Sequence, residues 1–518
     1  MKRTTSIVLA IAMSASILGA VGCGPTVSND ENTVQIYAFS GGYGIEWLKE
    51  MEKKYEAKNP NVKIEISSDG MIGKADAMVR AGEVQTTDLY FTADPIMKWL
   101  HEGNGVVKGY DFVLEPLDEV YEYKPIAGDE RTVADLMNDS YEQNCQYSYY
   151  DEDDEEVTHY FALPWSGNVT GIVYNKTLFE ENNIPVPRTT EELWEVCAAI
   201  KAIDGKIPFV SSTQTDYAEY LLQTWITQYM TVKEVNYFWN GKDRNGVFGP
   251  SLWTHEGRLY ALQAYEKMLG VDYGNSHKNV NSMTFTQAQA QLLNGNCLMM
   301  VNGDWFENEM KDKAGDYTLD IMNAPVLSNI VEKTSFKDDA NAETILRETI
   351  SYVDGVEGAT KPAQATDADV AIIREARRVT YGLLNHNAYI PAYSTAKQAA
   401  KDFLKYVCTQ EAFDIYVDKT GGGILPLDYE VKQSSFSAMQ KSKMEMYNKA
   451  VFVPMTAKYA MFHTGGLRYF LGVSSSVASS FTAKNPADRK TAQYIYDHTI
   501  EMGTQSAFDK IAEKAGVI

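Results

Sequence analysis

The segment at residues 161–200 constrains the fold most, because it dictates a fixed order of local structures. Its sequence is FALPWSGNVTGIVYNKTLFEENNIPVPRTTEELWEVCAAI. Residues 167–174 form an apolar, β-branched run that is typical of a half-buried strand. Pro185 and Pro187 exclude a helix where they stand and require an extended elbow. The segment therefore predicts a strand, a short helix, an elbow and then a second helix.

The second helix of this segment carries its own start signal. Thr189 and Glu192 have the spacing of a capping box, in which each side chain satisfies an amide of the first turn. Apolar residues then repeat at helical spacing and predict one buried stripe, namely Leu193, Val196, Cys197 and Ile200.

Strands and helices also alternate near the N-terminus. Residues 34–39, 62–66 and 88–92 read as strands, and residues 45–55 and 71–82 between them read as helices. Such a βαβαβ unit forms a parallel sheet with right-handed crossovers. Ligands of open α/β sheets bind beyond the carboxyl ends of the strands. We therefore expect a binding site at the loops 40–43, 67–70 and 93–95.

The second half of the chain repeats this logic. Residues 207–211 and 297–301 read as strands, and each is followed by polar and aromatic residues. Residues 287–294 and 306–311 read as helices. Gly303 stands at the end of a predicted strand, and we expect it to let the backbone turn and to direct a large ring at the ligand site.

Three blocks of the sequence resemble the bacterial extracellular solute-binding proteins, specifically the maltose-binding-like sugar receptors of ABC importers. The first block contains VYNK at 173–176, LF at 178–179, NIPVP at 183–187 and TTEEL at 189–193, with Thr190 where the family usually has Trp. The second is GNCLMMVNGDW, which ends at Trp305. The third is residues 388–427, AYIPAYSTAKQAAKDFLKYVCTQEAFDIYVDKTGGGILPL.

The resemblance implies an α/β, two-lobed periplasmic-binding-protein-like fold with hinge crossovers and a central ligand cleft. Lobe 1 would comprise residues 33–158 plus about 378–428. Lobe 2 would comprise residues 159–330 plus about 430–518. Residues from about 331 to 377 would form an insertion and crossover. We expect the region 328–369 to be a surface excursion, because it is polar and has no clear period.

The N-terminus predicts export. Lys2 and Arg3 precede a short apolar run, and small residues follow before Cys23, as in a secretory signal peptide. The small residues and Cys23 resemble a lipobox, with Ala20 where Leu is usual. This predicts a signal peptide at 1–22, a diacylglyceryl anchor on Cys23 and a tether at 23–32. The expected location is the extracellular face of the cell membrane of a Gram-positive cell. Ordinary cleavage that leaves Cys23 unmodified is the alternative.

The composition argues against some classes of ligand. A net charge of −23 disfavours nucleic acid, whose phosphates need clustered Lys and Arg. No Cys or His cluster has the spacing of a zinc site, and we expect no metal or cofactor. The remaining cysteines, Cys145, Cys197, Cys297 and Cys408, are interpreted as buried thiols, with a disulfide left open. The acidic run at 151–156 is interpreted as a solvated hairpin tip rather than a calcium site.

Aromatic and polar residues at the predicted strand ends form a candidate sugar site. Aromatic rings pack against the C–H faces of a sugar, while carboxylates, amides and Arg bind its hydroxyl edges. The resemblance implies a stacking role for Trp305 and an edge-binding role for Asp94. The predicted ligand-binding residues are Gly42, Tyr43, Asp94, Trp165, Asp216, Tyr217, Asp304, Trp305, His463 and Arg468. Trp225 and Trp239 are interpreted as core residues and are not included among the predicted ligand contacts.

These features predict a monomeric, non-catalytic receptor that captures a sugar or oligosaccharide by hinge closure and delivers it to a membrane permease. One alternative keeps the fold but binds a polyamine or another cationic ligand through three or more converging carboxylates and aromatic walls. A surface glycosidase would need two carboxylates at a set separation, drawn from Asp94, Asp216 and Asp304. A surface protein that binds a partner without transport is a further alternative.

Overall fold

The computed structural model describes residues 30–82, 86–101, 112–150, 153, 155–213, 217–313, 315–431, 436–454, 460–463, 465–470 and 475–518. The predicted signal peptide, Cys23 and Asp216 lie outside the described residues.

The described chain alternates strands and helices. The strands are β1 (Thr33–Phe39), β2 (Lys63–Asp69), β3 (Leu89–Thr92), β4 (Gln146–Tyr150), β5 (Glu156–Tyr160), β6 (Leu163–Pro164), β7 (Thr170–Asn175), β8 (Ile207–Val210), β9 (Cys297–Gly303), β10 (Leu319–Met322), β11 (Val379–Thr380), β12 (Asn387–Tyr389) and β13 (Val451–Phe452). The helices of the first half are α1 (Glu46–Lys58), α2 (Lys74–Ala81), α3 (Lys98–His101), α4 (Asp118–Tyr121), α5 (Val133–Leu136), α6 (Asp139–Asn144), α7 (Lys176–Glu181), α8 (Thr190–Lys201) and α9 (Tyr217–Trp239). Those of the second half are α10 (Glu256–Leu269), α11 (Phe285–Leu293), α12 (Phe306–Met310), α13 (Ala342–Val353), α14 (Asp367–Arg378), α15 (Lys397–Val407), α16 (Gln410–Lys419), α17 (Ala438–Lys449), α18 (Ala460–His463), α19 (Leu467–Phe470), α20 (Ser475–Phe481), α21 (Ala492–Met502) and α22 (Gln505–Ala515).

The first sheet has five strands in the order β2-β1-β3-β12-β6. Strand β1 pairs in parallel with both β2 and β3, which confirms the βαβαβ unit predicted from the sequence. Strand β12 returns from late in the chain and pairs antiparallel with β3 and β6. Helices α1 and α15 contribute buried stripes to the same core, including Trp47, Met51 and Phe403.

The second sheet has four strands in the order β10-β7-β9-β8. Strand β9 lies between β7 and β8, and helices α9 and α11 pack against it, so it is buried along its whole length. Helix α8 begins with the predicted capping box of Thr189 and Glu192, and its predicted apolar stripe is buried. Trp225 and Trp239 are fully buried in this part of the core, as expected for core residues.

The two sheets and their crossovers form the α/β, two-lobed periplasmic-binding-protein-like fold that the sequence predicted. The chain passes from the first sheet to the second between β6 and β7. Leu163–Pro164 therefore pairs within the first sheet, a few residues later than the predicted boundary at 158. The lobe boundaries as a whole stay a prediction.

The region 328–369 was expected to lack a period, and this was wrong, because it contains two amphipathic helices. Its position as a surface excursion stays a prediction. Helices α13 and α14 pack on each other around a small core of their own, which includes Ile345, Leu346, Ile350 and Ile373. The region is also tied to the second lobe, because the Ser328 amide donates to Thr190 Oγ1 at 3.0 Å. The region is therefore a folded subdomain. Its two helices are amphipathic, but their many charged residues make the apolar pattern hard to recognise in the sequence.

Two further predictions concern the acidic run and the cysteines. The described residues that flank the run at 151–156 form an antiparallel hairpin of β4 and β5, as expected. Cys145, Cys197, Cys297 and Cys408 are buried thiols and not disulfides. Within the described ranges, no helix is long and apolar enough to cross a membrane.

Candidate functional site

A cavity of about 640 Å³ lies between the two sheets, at the ends of their strands. The first sheet and its loops contribute Phe39, Gly42, Tyr43, Gly70, Ala93 and Pro95. The second lobe contributes Tyr217, Glu219, Tyr220, Phe285, Trp305 and Glu309. All three loops that were expected to form the site reach this cavity, because β1, β2 and β3 are parallel and end at the same edge.

Trp305 lies at the centre of the aromatic wall. Its ring contacts those of Tyr217 and Tyr220 edge-on, with centroid distances of 5.9 and 6.4 Å. Gly303 allows this position: a Cβ added there would lie 2.1 Å from the indole. The glycine is thus required because the indole packs directly over its backbone. The chain turns at residues 304–305 directly after Gly303, although Gly303 itself is not among the positive-φ residues.

Further rings extend the wall beyond the residues predicted from the sequence. Tyr220 stacks on Tyr381 with a centroid distance of 4.7 Å and an interplanar angle of 12°. Phe285 packs edge-on against Tyr217 at 4.9 Å. Tyr220 follows Tyr217 by one helical turn, which is a signal that the sequence contained. Tyr381 comes from a crossover whose path the sequence does not reveal.

Tyr43 and Asp304 belong to a buried polar network at the cavity floor. The Tyr43 hydroxyl donates to Asp304 Oδ1 at 2.7 Å, and Lys443 Nζ lies 3.8 Å from Asp304 Oδ2. Burial raises the pKa of the Asp304 carboxyl and lowers that of the Lys443 ammonium. Tyr43 lines the cavity, but Asp304 does not. The network joins the loop after β1 to β9 and α17, and it holds the lobes together at this point.

Asp94 has a different role from the edge-binding role that was expected. Its carboxylate accepts hydrogen bonds from the amides of Gly73 at 2.6 Å and Asp76 at 3.0 Å. It therefore caps the start of α2, where a negative charge is favoured by the helix dipole. Ala93 and Pro95 line the cavity on either side of it, but the Asp94 side chain does not.

Trp165 is also a core residue instead of a ligand contact. Its ring stacks on His386 at 4.8 Å and on Trp47 at 5.6 Å, and its Nε1–H donates to the Thr92 carbonyl at 3.2 Å. The side chain is fully buried. Trp165 supports the cavity through His386, which is itself a lining residue.

Arg468 lines the cavity as predicted, and it is bound to a carboxylate there. Its Nη2 lies 3.4 and 3.5 Å from the two carboxylate oxygens of Glu219. The pair largely neutralises both charges within the cavity. His463 ends helix α18, and the structure does not describe its side chain. Gly42 lines the cavity, and its carbonyl accepts a hydrogen bond from Asn308 at 2.7 Å.

Glu309 is the main residue that the sequence interpretation missed. It lies four residues after Trp305, so both side chains share one face of a short helix. Its Oε2 accepts a hydrogen bond from Gln289 Nε2 at 2.9 Å. Burial raises the pKa of Glu309 to about 7, against the opposing effect of that hydrogen bond.

Several buried polar atoms of the lining residues have no hydrogen-bond partner among the described residues. They are Oε1 of Gln223, Oδ1 of Asn385 and Nδ1 of His386. Burial lowers the pKa of His386 to about 4, so its ring is neutral at physiological pH. A buried polar group without a partner costs about 1–3 kcal/mol. These three atoms are covered in the structure, so they lie behind the cavity surface and are not open contacts for a ligand.

Two carboxylates line the cavity within the described part of the chain, Glu219 and Glu309. A polyamine site was expected to need three or more, and one of the two is already paired. The catalytic pair of a glycosidase is not formed by Asp94 and Asp304, since neither lines the cavity. Among the described side chains, no group of three or more His, Cys, Asp or Glu residues could hold a metal ion.

Comparison with known proteins identifies the family. The model of the family described as bacterial extracellular solute-binding protein matches residues 41–412. A multiple sugar-binding protein of Streptococcus mutans serotype c is 25% identical over 149 residues. That match spans 28% of this chain and 33% of the length of the relative.

Solved structures share the fold at low sequence identity. The solute-binding protein RafE in complex with raffinose superposes with a TM-score of 0.54 at 16% identity, covering 88% of this chain and 100% of that one. A structure from work on xylan utilization by Caldanaerobius polysaccharolyticus has a TM-score of 0.59 at 16% identity, covering 91% and 99%. The GacH receptor of Streptomyces glaucescens, solved unliganded and with acarbose, has a TM-score of 0.56 at 16% identity, covering 91% and 97%.

Proposed function

The chain belongs to the bacterial extracellular solute-binding proteins, and from this premise we propose that it captures a neutral sugar or oligosaccharide for an ABC importer. The observation that carries the proposal is the composition of the cavity. Rings of Tyr217, Tyr220 and Trp305 form one wall, and the Glu219–Arg468 pair neutralises the charges beside it. Rings offer surfaces for the C–H faces of a sugar, and with Glu219 paired, Glu309 is the one other carboxylate among the described lining residues.

The polar lining supports the same class of ligand. Gln223 and Asn385 add side-chain amides to the lining, and Arg468 adds a guanidinium. Sugar hydroxyls both donate and accept hydrogen bonds, so polar groups of these kinds suit them. The volume of about 640 Å³ lies within the usual range for small-ligand sites, roughly 300–1,000 Å³.

The proposed mechanism is hinge closure. Each lobe supplies part of the cavity lining, so a ligand contacts both lobes only when they are closed around it. A ligand that makes more contacts in the closed state shifts the population toward it. The closed form would then dock on the permease and release the sugar without changing it chemically. The protein would act as a monomer.

Membership of an extracellular family implies a secreted or surface protein. We propose that Cys23 carries a diacylglyceryl anchor and that residues 23–32 tether the receptor to the outer face of the cell membrane. The motif before Cys23 supports this proposal. Mass spectrometry of the intact protein from its native membrane would test it: a mass without acyl chains would contradict it.

A thermal-shift screen tests the class of ligand. We expect raffinose, maltotriose, xylotriose or chitotriose to raise the melting temperature by a few degrees, because a ligand at a hundredfold excess over its Kd adds about 2.7 kcal/mol of stability. Putrescine and spermidine serve as the comparison. A shift with the polyamines alone would contradict the sugar proposal and favour a cationic ligand.

A further inference from the structure

Glu309 has one carboxylate oxygen engaged and one available. Its Oε2 accepts the hydrogen bond from Gln289 on α11, whereas Oε1 has no partner among the described residues. The residue is half-buried on α12 and lines the cavity together with Trp305, one turn earlier on the same helical face. The backbone amide of Glu309 donates to the Trp305 carbonyl at 3.0 Å, which fixes the two side chains relative to each other.

We propose that Glu309 is a specificity-determining residue whose ionised Oε1 accepts a hydrogen bond from a ligand hydroxyl, so that ligand binding releases a proton from this side chain. The inference rests on the proposed sugar-binding function. Trp305 would stack on the ring face of the sugar, and Glu309 would accept a hydrogen bond from the neighbouring hydroxyl.

The protonation state of Glu309 decides whether Oε1 can act in this way. Since Oε2 already accepts the Gln289 N–H, a proton on the carboxyl resides on Oε1. The neutral acid therefore presents a donor to the cavity, and the carboxylate presents an acceptor. Hydrogen bonds to an ionised acceptor are about twice as strong as neutral ones. A sugar hydroxyl thus favours the carboxylate, and binding lowers the pKa of Glu309 from its raised value.

The groups around Glu309 do not themselves change charge near its pKa. Tyr217 faces it from α9, and burial keeps the pKa of that hydroxyl well above its usual value, so it stays neutral. Gln289 faces it from α11 and has no charge. The other charged lining residues, Glu219 and Arg468, bind each other. His386 is neutral above a pH of about 4. Asp216 lies outside the described residues, and the experiment below separates it from Glu309.

The sign of the pH dependence follows from these states. With a pKa of about 7, Glu309 is mostly ionised at pH 8.5 and mostly protonated at pH 5.5. Binding that prefers the ionised form is strongest above pH 7 and weakens as the pH falls. If the pKa of Glu309 drops by one unit on binding, the affinity changes about tenfold between a pH at which Glu309 is fully ionised and one at which it is fully protonated.

Calorimetric titration at pH 5.5, 7.0 and 8.5 tests the inference, with raffinose, maltotriose, xylotriose and chitotriose as probes. We expect the wild-type protein to bind its preferred sugar about fivefold to tenfold more weakly at pH 5.5 than at pH 8.5. At pH 7.0 the observed enthalpy should differ between phosphate and Tris. The buffer takes up the released proton, and the two buffers have different protonation enthalpies. Glu309→Gln should abolish the pH dependence and the buffer dependence. Glu307→Gln, on the same helix but away from the cavity, should keep both.

Different failures are distinguishable. Affinity that is flat with pH in the wild type would overturn the inference but leave the sugar receptor intact. A pH dependence that survives in Glu309→Gln would also overturn it and would assign the titration to another group such as Asp216. Binding of none of the four sugars at any pH, in a protein with an intact melting transition, would overturn the proposed function and this inference with it.

Discussion

Replacing Trp305 by alanine is expected to weaken sugar binding by at least about 30-fold, because a buried aromatic anchor at the centre of a site is worth about 2 kcal/mol or more. The ring is 3% exposed and is flanked by Tyr217 and Tyr220, so its removal deletes the central surface of the wall. Calorimetric titration with the sugar found in the screen measures the effect. Trp305→Leu retains apolar volume without the ring face, and we expect a similar loss.

A matched control separates affinity from stability. Trp253 is also buried, and its Nε1–H donates to the Gly503 carbonyl at 2.9 Å, away from the cavity lining. Trp253→Ala should lower the stability about as much as Trp305→Ala, since each change opens a cavity worth about 3–5 kcal/mol, but it should leave the affinity unchanged. Equal losses of affinity in both variants would contradict a stacking role for Trp305.

Gly303 offers a second approach to the same ring. A Cβ at this position would lie 2.1 Å from the indole, so Gly303→Ala must shift the indole. The Trp305 side chain itself stays in the protein. We expect the alanine variant to lose affinity although no lining side chain has been removed. Unchanged affinity would mean that the observed position of the indole is not the one that binds sugar.

Replacing Lys443 by methionine is expected to destabilise the protein by about 3–5 kcal/mol, because it leaves the Asp304 carboxylate buried without its counter-charge. Both side chains are only 3% exposed, and the Lys443 Nζ also lies 3.4 Å from the Gly421 carbonyl. The melting temperature should fall by roughly 3–5 °C, because a chain of this size loses about 1 °C per kcal/mol. Thermal melts followed by circular dichroism would measure the change.

Another lysine of helix α17 provides the control. Lys449 pairs with Glu445 at 2.6 Å, but the two side chains are 54% and 68% exposed. Lys449→Met should change the stability by less than about 1 kcal/mol, as is usual for exposed pairs. The double variant Asp304→Asn and Lys443→Met should recover part of the loss, because no unpaired charge remains. Equal effects of Lys443→Met and Lys449→Met would contradict the structural role of the network.

The sequence predicted the local elements well where one strong signal was present. A short apolar run predicted β1, apolar residues alternating with charges predicted β2, and the capping box at Thr189 marked the start of α8 correctly. Helix α15 lies in the third block of the family resemblance, and its buried residues include Ala400, Phe403 and Leu404. The same approach failed for α13 and α14, whose apolar positions are separated by charged residues and by the glycines that join the two helices.

The candidate site was predicted only in part, for a physical reason. Position at a strand end places a residue near the cavity but does not determine which way its side chain points. Asp94 turns back to cap α2, and Trp165 turns into the core beneath His386. Trp305 and Tyr217 line the cavity, and Gly303 leaves the space that the Trp305 indole occupies. Glu309 could have been found from its spacing to Trp305, whereas Tyr381 and His386 depend on the crossover path.

A crystal structure with the preferred sugar bound would test the central claim most directly. The account predicts sugar density in the cavity between the two sheets, with one ring face against the Trp305 indole and a hydroxyl within hydrogen-bond distance of Glu309 Oε1. Sugar bound at another surface, or bound in the cavity without contact to Trp305, would contradict the account.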